Sequence, residues 1–466
     1  MKKLFILTLT LFVSNVFSQT KETQKFSLLE AEKYALEHNK MLQNASLSIR
    51  EAEAAKWQAI AKGLLQVNAT VDFNYFFNYE YDFSGMTGGM MKPIQDMLKP
   101  IQENLTAIMN ALGISQPDDP PPPTDTPKPT KMNPTSTFNL RATIGFSAAY
   151  VIGIQMSKLA VDMNKINFEK SQRDTKNQVR SLYYSVLIAQ NTIDLLTSTT
   201  DNLKKLYVHV DNAVKAGIKE QTDADQIAIQ VYSMQNTLNT NKRNVEILTN
   251  ALVLLLGLPV DAKIEITDNL ETLDISFSTM NLLSENFNIE KNPDFQLLKH
   301  NELLAKKQYQ MSAWAYAPSV GAFYQYSYKI LKPTLDFMSP THVAGVTLNV
   351  PLFSSGDRFA KIRQTKFALQ AAQNKTEMVR DQLLVQEKQL RNNITAAYEN
   401  YHIQKKSIEI SQRVFEKVTQ KYQLGYSSSL DLTNASMNLI SAQSAFVGAT
   451  YELINAQLEL EKLLDK

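Results

Sequence analysis

A seven-residue repeat that occurs twice limits what this chain can fold into. From Ile394, every seventh residue gives Ile394, Tyr401, Ile408, Phe415 and Tyr422, interleaved with Leu390, Ala397, Gln404, Ser411 and Val418. The run stops at Gly425, and an acid, Asp431, follows six residues later. The same series stands 208 positions earlier: Val186, Ile193, Thr200, Tyr207 and Val214, with Leu182, Ala189, Leu196, Leu203 and Val210, then Gly217 and Asp223. A seven-residue period held over five heptads reads as a coiled-coil seam. Its recurrence in phase, with the same ending, reads as an internal duplication. Two ordinary long bundle helices remain the competing interpretation until the segments between them are considered.

Phe26 to Leu65 has a helical period, with Ser27 as N-cap and Glu30 three residues on. After Gln66 the period changes to two. Val67, Ala69, Val71, Phe73, Tyr75, Phe77, Tyr79, Tyr81 and Phe83 alternate with largely polar residues, so a strand is predicted over about 67–83. Further strands are predicted over about 138–148, 319–330 and 342–350. Each strand pair lies between a shorter helix and a long heptad helix, the latter spanning about 153–216 and 355–424. At 1.5 Å per residue each long helix would extend roughly 95 to 105 Å. The helix resumes after each Gly break, to Leu256 and Leu464. The domains read as a leader at 1–18, a first repeat at 19–256, a connector at 257–292 packed outside the helices, and a second repeat at 293–466. Residues 84–137 are an insertion. It holds an apolar-periodic segment (Met90, Ile94, Met97, Leu98, Ile101, Leu105, Ile108, Met109, Leu112), predicted as a short helix, and a Pro-rich tract predicted as extended or disordered. A plug or a membrane-surface helix is an alternative for the apolar segment.

The strands have an aromatic and aliphatic face and a polar face carrying Asp72, Glu80, Asp82, Arg141 and Lys329. In a soluble core the apolar face would need helices to cover it, yet each helix has its own seam to bury. In a bilayer, lipid would meet one face and water the other. Four strands cannot close, and an open edge in hydrocarbon leaves unpaired backbone groups at several kcal/mol each. Closure requires more than one copy. Two chains would give eight strands, and three would give twelve with room for a wet lumen; the polar face favours three.

Composition narrows the function. The chain of 466 residues carries a formal net charge of +2. Lys2, Lys3, the apolar run Leu4 to Val13 and Ser18 read as a secretory leader. Its removal takes the charge to zero, so nucleic acid is not an expected partner. With no cysteine, disulfides, thiolate metal sites and a lipidated N-terminal Cys are excluded. The histidines (His38, His209, His300, His342, His402) lack zinc-ligand spacing, and there is no nucleophile motif or phosphate loop. No enzyme, cofactor or metal site is expected.

The chain resembles the TolC family of outer-membrane efflux proteins. The resemblance is carried by Phe26-Ser-Leu-Leu-Glu-Ala-Glu-Lys-Tyr-Ala-Leu-Glu-His-Asn39, Ala317-Pro-Ser-Val320, Val350-Pro-Leu-Phe-Ser-Ser-Gly356 and Gly425-Tyr-Ser-Ser-Ser-Leu-Asp-Leu432, in that order, with the duplication. It implies a mainly α fold with a membrane β-barrel: two repeats of helix, strand, strand, long helix, helix, assembled as a homotrimer with a 12-stranded barrel on an α-helical barrel. It implies the outer membrane of a Gram-negative bacterium, extension into the periplasm, and a periplasmic adaptor and inner-membrane pump as partners.

By the same resemblance, Asp431 corresponds to an acid ringing the periplasmic aperture, with Asn434 neutral at the second acid position. Tyr422 and Asp223 correspond to members of a Tyr–Arg–Asp network, and Ser427 stands where its arginine would be. The turns at Gly217, Ile218, Gly425 and Tyr426 correspond to the adaptor-contact groove. Simpler roles exist for these residues: helix stops for the glycines, helix-start acids for Asp223 and Asp431, and seam packing for Tyr422. The expected function is a passive exit duct for efflux or type I secretion. The alternative is a periplasmic coiled-coil adaptor or scaffold without a pore.

Overall fold

The computed structural model describes residues 23–77, 80, 81, 84–113, 130, 131, 133–269, 275–332 and 340–465. The expected leader, Tyr79 and Phe83 of the first strand, and most of the Pro-rich tract and of the second hairpin loop lie outside this set. The chain forms two compact units. One holds the described residues up to Lys56 with Gln155–Ser312 and Phe359 onward; the other holds Trp57–Ile154 and Ala313–Arg358.

The first unit is mainly helical. The predicted single helix over 26–65 is instead two, α1 (Leu28–His38) and α2 (Lys40–Ala61). Asn39 separates them. Its backbone turns extended after α1, its Oδ1 accepts from the Met41 amide at 2.7 Å, and its Nδ2 donates to the Leu255 carbonyl at 2.7 Å. The Ser27–Glu30 capping box forms as predicted. Ahead of α1, β1 (Gln24–Phe26) pairs in parallel with β6 (Ile264–Ile266), so the connector is less irregular than the sequence suggests. The connector also holds α6 (Ile275–Ser284), whose Leu282 packs with Ile394, Ala397, Leu453 and Leu460.

The long helices are α4 (Ala148–Lys215) and α8 (Asp357–Gln423), followed by α5 (Gln221–Leu256) and α9 (Ser429–Leu464). The ends of α4 and α8, and both ends of α5 and α9, coincide at the 208-residue offset. Seam residues of all four meet in one cluster, including Leu196, Leu203, Val210, Ile227, Met234, Phe415, Tyr422, Leu432 and Leu439. The heptad pattern therefore marks true packing positions. Arg180 of α4 ties the other end together. It donates to Glu32 of α1 at 2.5 Å and to Glu461 of α9 at 2.9 Å.

The second unit is built on an antiparallel sheet of order β2-β5-β7-β8: β2 (Gln66–Asn74), β5 (Thr135–Phe146), β7 (Ser319–Leu331) and β8 (His342–Asn349). The first strand stops at Asn74, short of the predicted 83, and a separate two-residue strand β3 (Glu80–Tyr81) pairs with β4 (Thr130–Lys131). Between β3 and β4 lies α3 (Ser84–Ala111), 28 residues long and longer than the predicted short helix. No described helix is long and apolar enough to cross a membrane.

The pairing register aligns the alternation of all four strands. Val71 faces Phe138, which faces Tyr328; Val67 faces Ala142, which faces Tyr324, which faces Ala344. Because side chains alternate with period two, one face of the sheet is continuously aliphatic and aromatic. The opposite face holds Asp72, Asn139, Arg141, Gln325 and Ser327. Asn139 links its strands there, donating to Asp72 at 2.8 Å and accepting from Ser327 at 2.7 Å. Phe323 also lies on this polar face, beneath the Arg141 guanidinium 4.7 Å from its ring centre. Gly345 opposite leaves room for that ring: a Cβ there would lie 2.7 Å from it.

Candidate functional site

The site predicted from the heptad endings is the pair of turns that join α4 to α5 and α8 to α9. Both close by the same bonds. At the first, the Gly217 amide donates to Val214 O at 2.9 Å and Ile218 to Ala213 O at 2.9 Å; at the second, Gly425 donates to Tyr422 O at 3.1 Å and Tyr426 to Lys421 O at 2.8 Å. This is the Schellman arrangement, which needs a left-handed residue just past the helix. Gly217 has φ +76° and Gly425 φ +82°, and nothing lies within 4 Å of a Cβ added at either. Glycine is thus required by backbone conformation rather than by a close neighbour. Just beyond each glycine an apolar side chain projects into solvent: Ile218 is 76% and Tyr426 82% exposed.

The helix starts differ between the two halves. α9 opens with a capping box in which Ser428 Oγ accepts from the Asp431 amide at 3.1 Å. Asp431 Oδ2 accepts from Ser428 Oγ at 2.7 Å, the Ser428 amide at 3.0 Å and Ser427 Oγ at 3.1 Å. These donors favour the ionised carboxylate and hold its pKa below the usual value, the Ser428 backbone contributing most. Asn434 lies one turn on, exposed. α5 is preceded by Glu220 at its N-cap, whose side chain makes no capping bond, and its first-turn acid Asp223 is half-buried.

Tyr422 is only 2% exposed and sits in the four-helix cluster. Its hydroxyl is buried without a hydrogen-bond partner among the described residues. Burial, and then the nearby Asp223 carboxylate, push its phenol above the ordinary range. The Lys219 ammonium lies over its ring, 4.0 Å from the centroid. Lys219 is a residue the sequence reading missed. Subtracting 208 from Ser427, where the resemblance leads one to expect an arginine, gives Lys219, which could have signalled it. The structure therefore brings Tyr422, Asp223 and Lys219 together. The bonds of Asp431 go instead to Ser427 and Ser428 at its own helix start.

Comparison with known proteins bears on the family and the fold. A family model described as outer membrane efflux protein matches residues 132–258 and 288–465, more than half of the chain. Outer membrane efflux protein BepC of Brucella suis biovar 1 (strain 1330) is 27% identical over 116 residues, a stretch that spans 25% of this chain and 25% of that protein. The fold matches the outer membrane protein VceC of Vibrio cholerae with a TM-score of 0.70 at 15% identity, covering 94% of this chain and 96% of that one. It matches the CmeC outer membrane channel of Campylobacter jejuni with a TM-score of 0.71 at 15% identity, covering 94% and 85%. Residues 84–131, which carry α3, lie outside the family match. Because that model covers more than half of the chain, including α4, α5, α8 and α9, the chain belongs to the outer membrane efflux protein family.

Proposed function

We propose that this chain is the outer-membrane exit duct of a multi-component efflux or type I secretion system in a Gram-negative bacterium. It acts as a homotrimer, and a periplasmic adaptor couples it to an inner-membrane pump. The observation that carries this reading is the four-stranded sheet with one continuous apolar face and two edges, β2 and β8, unpaired among the described residues. Unpaired edges are costly in hydrocarbon. Three copies joined edge to edge close a twelve-stranded barrel whose apolar face meets lipid and whose Asp72, Asn139 and Arg141 face meets water. α4, at 68 residues, has a length of about 100 Å, enough for an α-helical barrel that crosses a periplasm-sized gap. The duplication supplies two such helices per chain.

At the turns, Asp431, Asn434, Asp223 and Tyr422 line or brace the periplasmic aperture. Gly217, Ile218, Gly425 and Tyr426 receive the adaptor. Asp431 presents a fixed negative charge, and Lys219 on Tyr422 takes the bracing place that an arginine at position 427 would fill. Planar-bilayer recording tests the reading. The detergent-purified chain is expected to be a trimer that conducts passively, with weaker divalent-cation block in Asp431→Ala. A water-soluble monomer or dimer without conductance would favour the pore-free adaptor instead.

A further inference from the structure

Helix α3 on the β2–β5 connection carries an apolar face that is exposed among the described residues. Ile94, Leu98, Ile101, Leu105, Ile108 and Leu112 are each 46 to 68% exposed. Their spacing is 4, 3, 4, 3, 4, a heptad seam with Leu98, Leu105 and Leu112 at a and Ile94, Ile101 and Ile108 at d. Leu at a with Ile at d shifts coiled coils away from dimers toward three or four strands. The remaining positions fit the same assignment. Met97, Gln102, Asn104, Met109 and Ala111 fall at e and g, uncharged, so identical helices meet there without repulsion and with a widened apolar face. Asp96 and Glu103 fall at f and Lys99 at b, facing away from the seam, and Pro93 and Pro100 both fall at c. Each internal proline removes a backbone hydrogen bond, so α3 would gain stability from covering its exposed Leu/Ile face.

We propose that α3 helices from three copies of this chain pack in parallel through this face, forming a coiled coil at the end of the sheet where β2 leaves and β5 returns. The inference rests on the trimer proposed above. The charge pattern selects this occupant over a lipid surface. A helix lying in a membrane interface carries a Lys/Arg-rich polar face and aromatic anchors. α3 has no aromatic residue, and its described charged side chains are Asp96, Lys99 and Glu103. Tethering to a trimer raises the local concentration of the short seams far above that of free helices.

The chain has no cysteine, so single-cysteine variants of the full-length protein report the geometry directly. Leu105→Cys, at a, and Glu103→Cys, at f, would be purified in detergent, oxidised and run on non-reducing gels, with native mass spectrometry giving the oligomeric state. The expected result is a trimer in which Leu105→Cys forms a disulfide-linked dimer band at least tenfold stronger than that of Glu103→Cys. A trimer with equal bands, or with none, overturns the coiled coil and leaves the trimer standing. Strong quenching by brominated lipid of a fluorophore attached in the Leu105→Cys variant also overturns it, in favour of a membrane surface. A monomer by mass spectrometry overturns the trimer reading itself, and the coiled coil with it.

Discussion

The Lys219 ammonium sits 4.0 Å from the centre of the Tyr422 ring and so joins the two halves of the chain at their tips. The two residues come from opposite turns, and position 219 is the counterpart of Ser427 in the duplicated sequence. A cation over an aromatic face contributes about 0.5 to 2 kcal/mol, more where water is excluded. A double-mutant cycle on Lys219→Gln and Tyr422→Leu is expected to return a coupling energy in that range. A coupling indistinguishable from zero would remove the pair as a brace.

Tyr422 carries a buried hydroxyl that finds no partner among the described residues. Such a group costs about 1 to 3 kcal/mol. Tyr422→Phe should therefore leave the melting temperature of the dissociated chain unchanged or raised, whereas Tyr422→Ala should lower stability by about 3 to 5 kcal/mol through the cavity it opens. A trimer destabilised by Tyr422→Phe would show that the hydroxyl is satisfied across protomers.

Three glycines with positive φ should respond unequally to alanine. At Gly217 and Gly425 only the left-handed backbone is at stake, so each substitution should cost about 1 to 2 kcal/mol, and by similar amounts. At Gly257, also left-handed, a Cβ would lie 2.6 Å from the His38 carbonyl oxygen. Gly257→Ala should cost clearly more than either tip variant in thermal unfolding. Equal costs at all three would contradict the close approach of α1 to that turn.

Asp431 gives the α9 start a defined pH response. Its folded pKa is depressed by the Ser428 and Ser427 donors, so the unfolded chain takes up the proton first as pH falls. The stabilisation is complete above the unfolded value near 3.8 and is lost as pH drops through the lower folded value. Hydrogen exchange of the Leu430 to Leu432 amides should accelerate over that acidic window in the parent chain. Asp431→Asn should abolish the change.

Arg180 stands between two carboxylates of low exposure, Glu32 and Glu461. Arg180→Met removes the cation that Glu32, 7% exposed, shares with Glu461, and removing one partner of a buried pair costs about 3 to 5 kcal/mol. Calorimetry should record that loss. Glu32→Gln, which keeps the cation and one acid, should lose less.

The helical seams were legible because a heptad repeat is local: each position declares its side of the helix, and the repeat recurs at a fixed offset. The cap Ser27 was legible for the same reason, since its partner Glu30 stands three residues on, whereas the capping box of Ser428 emerged only with the structure. Asn39 was harder. Apolar residues continue on both sides of it, and its cap becomes visible only once the Leu255 carbonyl arrives from α5. The first strand was overextended because alternation persists in sequence beyond Asn74, after which ladder partners from β5 run out. Prolines 93 and 100 concealed the length of α3, since neither stops the helix.

By itself the sequence determined the periods. It determined which residues of each strand share a face, where the long helices stop, and that glycine and an acid follow each stop. These are consequences of local backbone geometry. Tertiary structure decided what distant positions do together. Strand register merged four separate alternations into one apolar face. Helix packing buried Tyr422 among four helices, set Lys219 over its ring and left its hydroxyl without a partner among the described residues, while Asp431 turned to its own helix start. Contacts between residues some two hundred positions apart depend on how the elements meet, and no local pattern encodes that.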